Sequence, residues 1–231
     1  MLELHDVHAQ RGDSLVLHGV SLTVREGEMV ALIGRNGMGK TTLLRSVLGL
    51  SKVTQGSIRF AGTAVRGLPP HSIARLGIGT VPEGRGMFPS LTVRQSLLMG
   101  LPRAKGAGVA VAETLDRFPV LAERADDRSG DLSGGQQQML AIARALISKP
   151  RLVLVDEFSE GIQPNLVHEI AGMLQRLGES GVAVLLVEQN ARLALSACQR
   201  GYILENGRIV VEGDAADLSR DDEILARHLV V

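Results

Sequence analysis

The stretch Gly34–Thr41 joins three glycines to a lysine and a hydroxyl group in the order Gly-Arg-Asn-Gly-Met-Gly-Lys-Thr. The order fits the pattern G-x-x-x-x-G-K-[ST], whose glycines let the backbone wrap around a chain of phosphates. Successive N–H groups and the start of a helix then supply positive potential. We expect Lys40 to reach the β- and γ-phosphates of a nucleotide and the Thr41 hydroxyl to bind Mg²⁺. The nucleotide-binding residues predicted in this region are Gly34, Arg35, Asn36, Gly37, Met38, Gly39, Lys40, Thr41 and Thr42.

The surroundings of this stretch separate a phosphate-binding loop from a chance match. The apolar run Met29–Gly34 precedes it, and a helix is predicted from Lys40 to about Leu48. Residue frequencies alone would produce the pattern in about one chain in two hundred, and Lys40 is one of only four lysines in this chain. The alternative interpretation is a glycine-rich strand-to-helix turn that binds no ligand.

A carboxylate pair, Asp156 and Glu157, ends a second apolar run, Leu152–Val155. Adjacent side chains at a strand end point in different directions, so Asp156 can meet the Mg²⁺ shell while Glu157 faces the attacking water. Such a pair is common at solvated strand ends and indicates little when it stands alone. Together with a phosphate loop it predicts nucleotide hydrolysis.

A third motif, Leu-Ser-Gly-Gly-Gln-Gln-Gln, occupies Leu132–Gln138. Ser133 can cap a helix, and the two glycines after it leave backbone N–H groups bare at the helix N-terminus. The motif therefore predicts a second anion site, distinct from the phosphate loop. A capped loop-to-helix junction without a ligand is the alternative.

These three motifs occur in a fixed order, with 23 residues from Ser133 to Asp156. In this arrangement the chain resembles the ATP-binding subunit of an ABC transporter over essentially its whole length. The resemblance implies ATP and Mg²⁺ as cofactors and ATP hydrolysis as the reaction. In that family the signature of one cassette contacts the γ-phosphate held by the other, which implies a dimer with two ATP sites. The signature residues that would complete a partner's site are Ser133, Gly134, Gly135 and Gln136.

A closer resemblance is to the branched-chain or hydrophobic amino acid importers. The segments that carry it are Val81–Val93, with the sequence VPEGRGMFPSLTV, and Val187–Leu195, with the sequence VEQNARLAL. The segment Asp156–Pro164, DEFSEGIQP, also resembles importers of urea or short-chain amides, so the solute class stays open. The implied partners are a second ABC ATPase, identical or distinct, two membrane permeases and an extracytoplasmic solute-binding protein. The implied location is peripheral, on the cytoplasmic face of the inner membrane.

The family's roles fall on several residues that depart from its general pattern. Glu83 stands where a glutamine usually binds Mg²⁺, and Gln189 stands at the usual switch histidine. Glu83 adds negative charge near the metal, while Gln189 can donate a neutral hydrogen bond to a γ-phosphate but cannot become cationic. Arg11 aligns with the aromatic residue that stacks on adenine, and a guanidinium plane can also stack there. Phe158 replaces a usual proline.

With these assignments, the predicted catalytic residues are Glu157 and Gln189, and the predicted metal ligands are Thr41, Glu83 and Asp156. Arg11 joins the nucleotide-binding set, with a solvated turn arginine as the alternative. The two ATP sites of a heterodimer would then turn over unequally. The stretch Glu83–Met87 lies where this family docks the coupling helices of its permeases.

The predicted elements that must position these residues alternate between strands and helices. Strands are predicted in the first thirty residues, at Ser57–Phe60, Arg151–Glu157 and Val182–Glu188, and helices at Leu166–Leu177 and Arg192–Ala197. This alternation predicts an α/β fold with a mostly parallel sheet, a P-loop NTPase core in the terms of the resemblance. An N-terminal antiparallel β subdomain and an inserted helical subdomain complete the prediction.

We expect a single ATPase domain over residues 1–231. Its nucleotide-binding core with the β subdomain would take residues 1–84 and 150–231, and the helical subdomain with the signature would take residues 85–149. Within that subdomain the segment Pro102–Val109, rich in glycine and alanine, is interpreted as a mobile loop.

Composition excludes other classes of function. The 231 residues carry 25 basic and 25 acidic side chains, so the chain has no overall positive charge that would attract nucleic acid. Five aromatic residues are too few for a base-stacking platform. The single cysteine, Cys198, forbids an internal disulfide. The apolar run Val182–Val187 is far shorter than the roughly 20 residues of a membrane helix.

Two alternatives to a transporter subunit remain at this point. One is a soluble ABC ATPase of DNA repair or of ribosomes, although such chains usually carry two cassettes or long insertions. The other is a non-hydrolysing nucleotide-binding regulator, which Glu83 and Gln189 would suit. The presence of Lys40, Asp156 and Glu157 argues against the regulator.

Overall fold

Ten strands form two sheets in this computed structural model, which describes residues 1–102 and 106–229. The strands are β1 (Leu2–Arg11), β2 (Ser14–Val24), β3 (Met29–Ile33), β4 (Lys52–Phe60), β5 (Thr63–Ala64), β6 (Ile78–Val81), β7 (Leu152–Asp156), β8 (Ala183–Glu188), β9 (Arg200–Glu205) and β10 (Arg208–Asp214). The helices are α1 (Lys40–Val47), α2 (Pro70–Arg75), α3 (Val93–Leu98), α4 (Ala107–Arg117), α5 (Pro119–Ala122), α6 (Gly134–Leu146), α7 (Pro164–Glu179), α8 (Ala191–Ala197), α9 (Ala215–Arg220) and α10 (Asp222–His228).

The larger sheet has six strands in the order β10-β9-β3-β8-β7-β6, and only β10 pairs in an antiparallel way. Its central strands β3, β7 and β8 are buried at every residue, as expected for parallel strands covered on both faces. The predicted mostly parallel sheet is therefore confirmed.

Two hydrophobic cores lie on opposite faces of this sheet, and β3 shows how one strand supplies both. Met29, Ala31 and Ile33 belong to the core shared with helices α3 to α10. Val30 and Leu32 belong to the core shared with α1, α2 and the second sheet. Because side chains alternate along a strand, an apolar residue is needed at every position.

The second sheet is antiparallel, with the order β2-β1-β4-β5, and comes from the N-terminal part of the chain as predicted. Helices α3 to α6 lie between β6 and β7 in the sequence. The chain thus leaves the sheet at the edge strand β6, forms helices α3 to α6, and returns to the sheet at the interior strand β7. This helical segment places the signature motif at the start of α6, away from the strand ends.

The loop predicted at Pro102–Val109 is wrong in its last part. Residues 103–105 lie outside the described residues, but α4 already begins at Ala107 and includes Val109. Gly106 precedes the helix with φ 78°, a left-handed conformation that glycine adopts without strain. Alanine favours helix strongly, so a glycine- and alanine-rich composition did not require a loop.

Among the described residues, no helix is both long enough and apolar enough to cross a bilayer.

Candidate functional site

Several of the predicted site residues lie at the carboxyl ends of four parallel strands, at one edge of the six-stranded sheet. Gly34 follows β3, Glu83 comes shortly after β6, Asp156 is the last residue of β7, and Gln189 follows β8. The carboxyl ends of parallel strands are where open α/β sheets bind their ligands. The fold therefore gathers at one edge residues that are far apart in the sequence.

A cavity of about 390 Å³ lies at this edge. It is lined by Arg11, Val16, Asn36, Gly37, Gly39, Lys40, Thr41, Thr42, Glu83, Glu157 and Glu160. Half of the predicted nucleotide-binding residues, two predicted metal ligands (Thr41 and Glu83) and the predicted general base thus share one space. Glu160 is an addition that the sequence analysis did not include.

A second cavity of about 450 Å³ adjoins the first and shares Asn36, Glu157 and Glu160 with it. Gln189 is exposed and lines this second cavity. The two predicted catalytic residues therefore face the same space from two different strand ends.

Backbone conformation explains two of the loop glycines. Gly37 and Gly39 have φ angles of 82° and 107°, which glycine adopts far more readily than other residues. A Cβ on Gly39 would also lie 2.9 Å from the side chain of Leu17. The loop can turn tightly into α1 only with glycine at these positions.

Lys40 lies at the first turn of α1 with its side chain only 4% exposed. Its Nζ donates hydrogen bonds to the carbonyl oxygens of Gly34, at 2.7 Å, and Arg35, at 3.2 Å. The same Nζ lies 3.0 Å from Oε1 of Glu157. A phosphate arriving at the loop would compete with Glu157 for this ammonium group.

Glu157 is held in an unusual backbone conformation, with φ 46°. Left-handed conformations of non-glycine residues store strain and cluster at functional sites. The Glu157 N–H donates to the carbonyl oxygen of Val187 at 2.9 Å, so the neighbouring strand β8 fixes the turn. In this backbone conformation the Glu157 carboxylate lies beside Lys40 and lines the cavity.

Asp156 is 4% exposed, and its Oδ1 has no hydrogen-bond partner among the described residues. Burial, followed by the charges of Glu157 and Glu83, raises the pKa of Asp156 to about 6, while the Thr41 hydroxyl bond opposes this shift. A buried acceptor without a donor is the position that a cation fits.

The oxygen donors around Asp156 suit Mg²⁺, which prefers carboxylate and hydroxyl oxygens. Carboxylate oxygens of Glu83, Glu157 and Glu160 all lie within 4.8 Å of one another. Together with the free Oδ1 of Asp156 and the Thr41 hydroxyl, the residues present fit a divalent cation.

The signature residues, unlike those of the phosphate loop, form a capping box at the start of a helix. Ser133 caps α6: its Oγ accepts from the Gln136 N–H at 3.3 Å, and Oε1 of Gln136 accepts from the Ser133 N–H at 2.9 Å. A Cβ on Gly135 would overlap the side chain of Leu166, so α7 packs against the bare backbone there. None of Ser133, Gly134, Gly135 and Gln136 lines the cavity, and among the predicted phosphate-loop residues Gly34, Arg35 and Met38 do not line it either.

Arg85 is a connecting residue that the sequence analysis did not single out. Its Nη1 donates to Oε1 of Gln137 at 3.1 Å, and its Nη2 lies 3.5 Å from the carbonyl oxygen of Glu160. Arg144 in turn donates to the carbonyl oxygen of Arg85 at 2.8 Å. The loop after β6 is thereby tied to α6 and to the loop after β7. Its flanking residues, Gly84 and Gly86, were the available signal.

A groove of about 430 Å³ lies between the sheet edge at β6, the segment that follows α3, and helix α6. Phe88 and Met99 on its wall are 48% and 61% exposed. The Arg144 guanidinium lies 5.9 Å from the centre of the Phe88 ring. This groove presents apolar side chains beside the loop that carries Glu83 and Arg85.

Two of the departures noted in the sequence occupy different surroundings. Arg11 ends β1 and is exposed at the rim of the first cavity. Phe158 is only 1% exposed and packs into the core shared with the helices. The residue after the carboxylate pair therefore anchors the following loop through hydrophobic burial.

Known proteins resemble this chain in both sequence and fold. The family model described as ABC transporter matches residues 17–160. The chain is 44% identical, over 99% of both chains, to the high-affinity branched-chain amino acid transport ATP-binding protein BraG of Pseudomonas aeruginosa. A solved nucleotide-free ATP-binding cassette from an ABC transporter matches with a TM-score of 0.86, at 25% identity over 98% of this chain and 97% of that one.

A further solved structure is a dimeric ATP-binding cassette in a post-hydrolysis state, bound to ADP and Pi. It matches with a TM-score of 0.81 and 26% identity, over 93% of this chain and 99% of that chain.

Proposed function

The chain belongs to the ABC transporter ATPase family, and we propose from this premise that it powers the import of branched-chain or related hydrophobic amino acids. The chain is the ATP-hydrolysing subunit of an importer. The observation that carries the solute class is the 44% identity to BraG across 99% of both chains. The resemblance of Asp156–Pro164 to urea and short-amide importers makes those solutes the competing outcome of the test.

Nucleotide binding is assigned to the first cavity. Backbone N–H groups of the phosphate loop and the start of α1 surround the phosphates, and Lys40 neutralises their charge. Lys40 already lies in place, 2.7 Å from the carbonyl oxygen of Gly34. Arg11, at the rim, is assigned to stack on the adenine.

Thr41, Asp156 and Glu83 are assigned to hold Mg²⁺, for which the free Oδ1 of Asp156 is the supporting observation. The cation, when bound, neutralises phosphate charge and orients the β- and γ-phosphates. The remaining chemistry belongs to side chains of the protein.

Glu157 is assigned as the general base. When a γ-phosphate binds the Lys40 ammonium group, Glu157 loses its 3.0 Å ion pair with Lys40. Its carboxylate can then accept a proton from the attacking water. The water oxygen then bonds to the γ-phosphorus as the bond to ADP breaks, giving ADP and phosphate. Gln189 donates a neutral hydrogen bond to the γ-phosphate from the opposite wall.

The signature is assigned to a second cassette's nucleotide. Ser133 and the N–H groups of the first turn of α6 form an anion site that lies apart from the cavity of the same chain. The dimeric cassette among the structural relatives supports a two-chain arrangement. The second cassette is a copy of this chain or a distinct ATPase.

The apolar groove beside β6 is assigned to the permease. Exposed Phe88 and Met99 offer hydrophobic contact area, and Arg85 links the same loop to α6. Two permeases and an extracytoplasmic solute-binding protein complete the proposed importer, with this chain peripheral on the cytoplasmic face of the membrane. The proposed domain division, with core residues 1–84 and 150–231 and helical residues 85–149, places this groove between the two parts.

Uptake measurements test the proposal. Cells that lack this chain but retain its permeases are given radiolabelled leucine or urea, and the wild-type chain or the variant Glu157→Gln is restored. We expect the wild-type chain alone to restore leucine uptake, with urea uptake unchanged throughout. Restored urea uptake with unaffected leucine uptake would overturn the solute class.

A further inference from the structure

A buried carboxylate lies between the two residues assigned to catalysis. Glu188 ends β8, directly before Gln189, and is only 2% exposed. Its Oε1 accepts a hydrogen bond from the Ser159 N–H at 3.1 Å, and its Oε2 accepts one from the Ser159 hydroxyl at 3.0 Å. Both oxygens are therefore used by one residue of the loop that follows Glu157.

Glu188 differs from the buried carboxylate Glu28 in having no cationic partner. Glu28 is 9% exposed and pairs with Arg200 at 2.6 Å. Glu188 forms no ion pair within the described part of the chain, and its partners there are neutral donors. Burial raises the pKa of Glu188, and the Ser159 bonds only partly offset this. A charge buried in this way costs stability, so stability alone does not account for it.

Two adjacent ties join the loop after β7 to the end of β8. The Glu157 N–H bonds the carbonyl oxygen of Val187 at 2.9 Å, and the Ser159 bonds to Glu188 follow directly. Glu157 itself makes the first of these ties, and Gln189 directly follows the strand end that receives both. Glu157, Ser159, Glu188 and Gln189 all line the same cavity.

We propose that Glu188 is a positioning residue for ATP hydrolysis, which clamps Ser159 and thereby sets where Glu157 stands relative to Gln189. The inference rests on the proposed roles of Glu157 and Gln189. It assigns no contact between Glu188 and the nucleotide. The clamp acts on the step from bound ATP to products, so it governs kcat and not nucleotide affinity.

The test compares Glu188→Ala, Ser159→Ala, their double variant and Glu188→Gln in the full chain with its partner subunits. ATP hydrolysis gives kcat and KM, a fluorescent ATP analogue gives affinity, and thermal unfolding gives the folded fraction. We expect Glu188→Ala to lower kcat by about ten-fold, and Ser159→Ala by less because its N–H still bonds Glu188, with little change in KM or affinity. The double variant should be no slower than Glu188→Ala, because removing the carboxylate already removes both bonds to Ser159.

Two controls separate positioning from folding. Glu188→Gln keeps an acceptor for the Ser159 N–H and should restore most of kcat. Glu28→Gln removes a buried carboxylate distant from the site, so it should lower the unfolding temperature without changing kcat per folded chain.

Unchanged kcat in Ser159→Ala and Glu188→Ala, or a double variant slowed by the product of both single effects, would overturn the clamp. The variant Glu157→Gln, measured in the same preparation, keeps this failure distinct. If Glu157→Gln hydrolyses ATP at the wild-type rate, the proposed general base fails. If it is inactive while the clamp variants are normal, only the clamp fails.

Discussion

The two anion-binding regions of this chain differ in how much of their chemistry they contain. At the phosphate loop, Lys40 is 4% exposed and already bonded to loop carbonyls and to Glu157. At the signature, Ser133 is exposed, and its capping hydrogen bonds stay within the first turn of α6. The first region holds its lysine, its carboxylates and a cavity together, while the second presents a helix start alone.

This difference teaches that binding and hydrolysis need different amounts of protein. In the proposed function, the cavity around Lys40 holds the nucleotide. The signature residues do not line that cavity and are proposed to act on a nucleotide bound by another chain. We therefore expect changes at the two regions to separate nucleotide binding from turnover.

The largest effect is expected at the phosphate-loop region from Glu157→Gln. Because the amide cannot accept the proton of the attacking water, hydrolysis should fall about a thousand-fold while ATP binding remains. Phosphate release and binding of a fluorescent ATP analogue measure the two quantities. The variant Glu169→Gln, on the exposed side of α7, is the matched control and should behave as wild type. Wild-type turnover in Glu157→Gln would remove this residue from the reaction.

A somewhat smaller effect is expected from Lys40→Met, and it should appear in binding. Loss of a charged donor to the phosphates is worth about 1.5–3 kcal/mol, so the ATP affinity should fall by roughly a hundred-fold. Titration calorimetry gives the affinity directly. The exposed Lys52→Met variant controls for loss of a positive charge. Equal affinity in both variants would show that the loop does not hold the phosphates.

The signature region allows a sharper comparison, because the described part of the chain contains two capping boxes. Ser133 pairs with Gln136 at the start of α6, and Thr92 pairs with Gln95 at the start of α3. Ser133→Ala and Thr92→Ala should each cost about 1 kcal/mol of folding stability. Only Ser133→Ala should also slow hydrolysis, by about ten-fold, the value of one hydrogen bond to a charged group.

Chemical denaturation and phosphate release, measured on both variants, decide this comparison. Equal rates of hydrolysis per folded chain would mean that Ser133 only caps its helix. A fall in ATP affinity in the isolated Ser133→Ala chain would place the signature in the same chain's site.

The smallest effect concerns stability and comes from Glu188→Gln. Burial raises the pKa of Glu188 above its ordinary value of 4.5. Below that value both folded and unfolded chains are protonated there. As pH rises through the raised folded value, the unfolded chain releases the proton more readily and wild-type stability falls. The variant lacks this loss, so its advantage in unfolding temperature should grow between pH 4 and pH 7. A difference in unfolding temperature between variant and wild type that stays constant across that range would contradict a raised pKa of Glu188.

The central strands could be predicted from the sequence because a strand buried on both faces requires an apolar residue at nearly every position. The strands β3, β7 and β8 are buried on both faces, so they appear as unbroken apolar runs that end at the functional residues. Helix α6 was equally clear from its serine cap. Elements with weaker patterns were missed or shortened. Helix α2 has only six residues, and the first half of β4 is polar and partly exposed.

The contacts between loops could not be read from the sequence. The ion pair of Lys40 with Glu157 depends on β3, β8 and β7 lying side by side, an order that no local pattern encodes. Arg85 reaches Gln137 and Glu160 only because the helical segment folds back over the sheet edge. Such long-range contacts follow from topology, and they determine how the motifs meet.

The most direct test of the central contrast is the rate of phosphate release per chain as the chain and its second cassette are diluted together. ATP is kept saturating, and concentration is varied over about a thousand-fold range. Because the proposed site takes its signature from another chain, the rate per chain should fall on dilution, while nucleotide affinity stays constant. A rate per chain that is the same at every dilution would contradict the account.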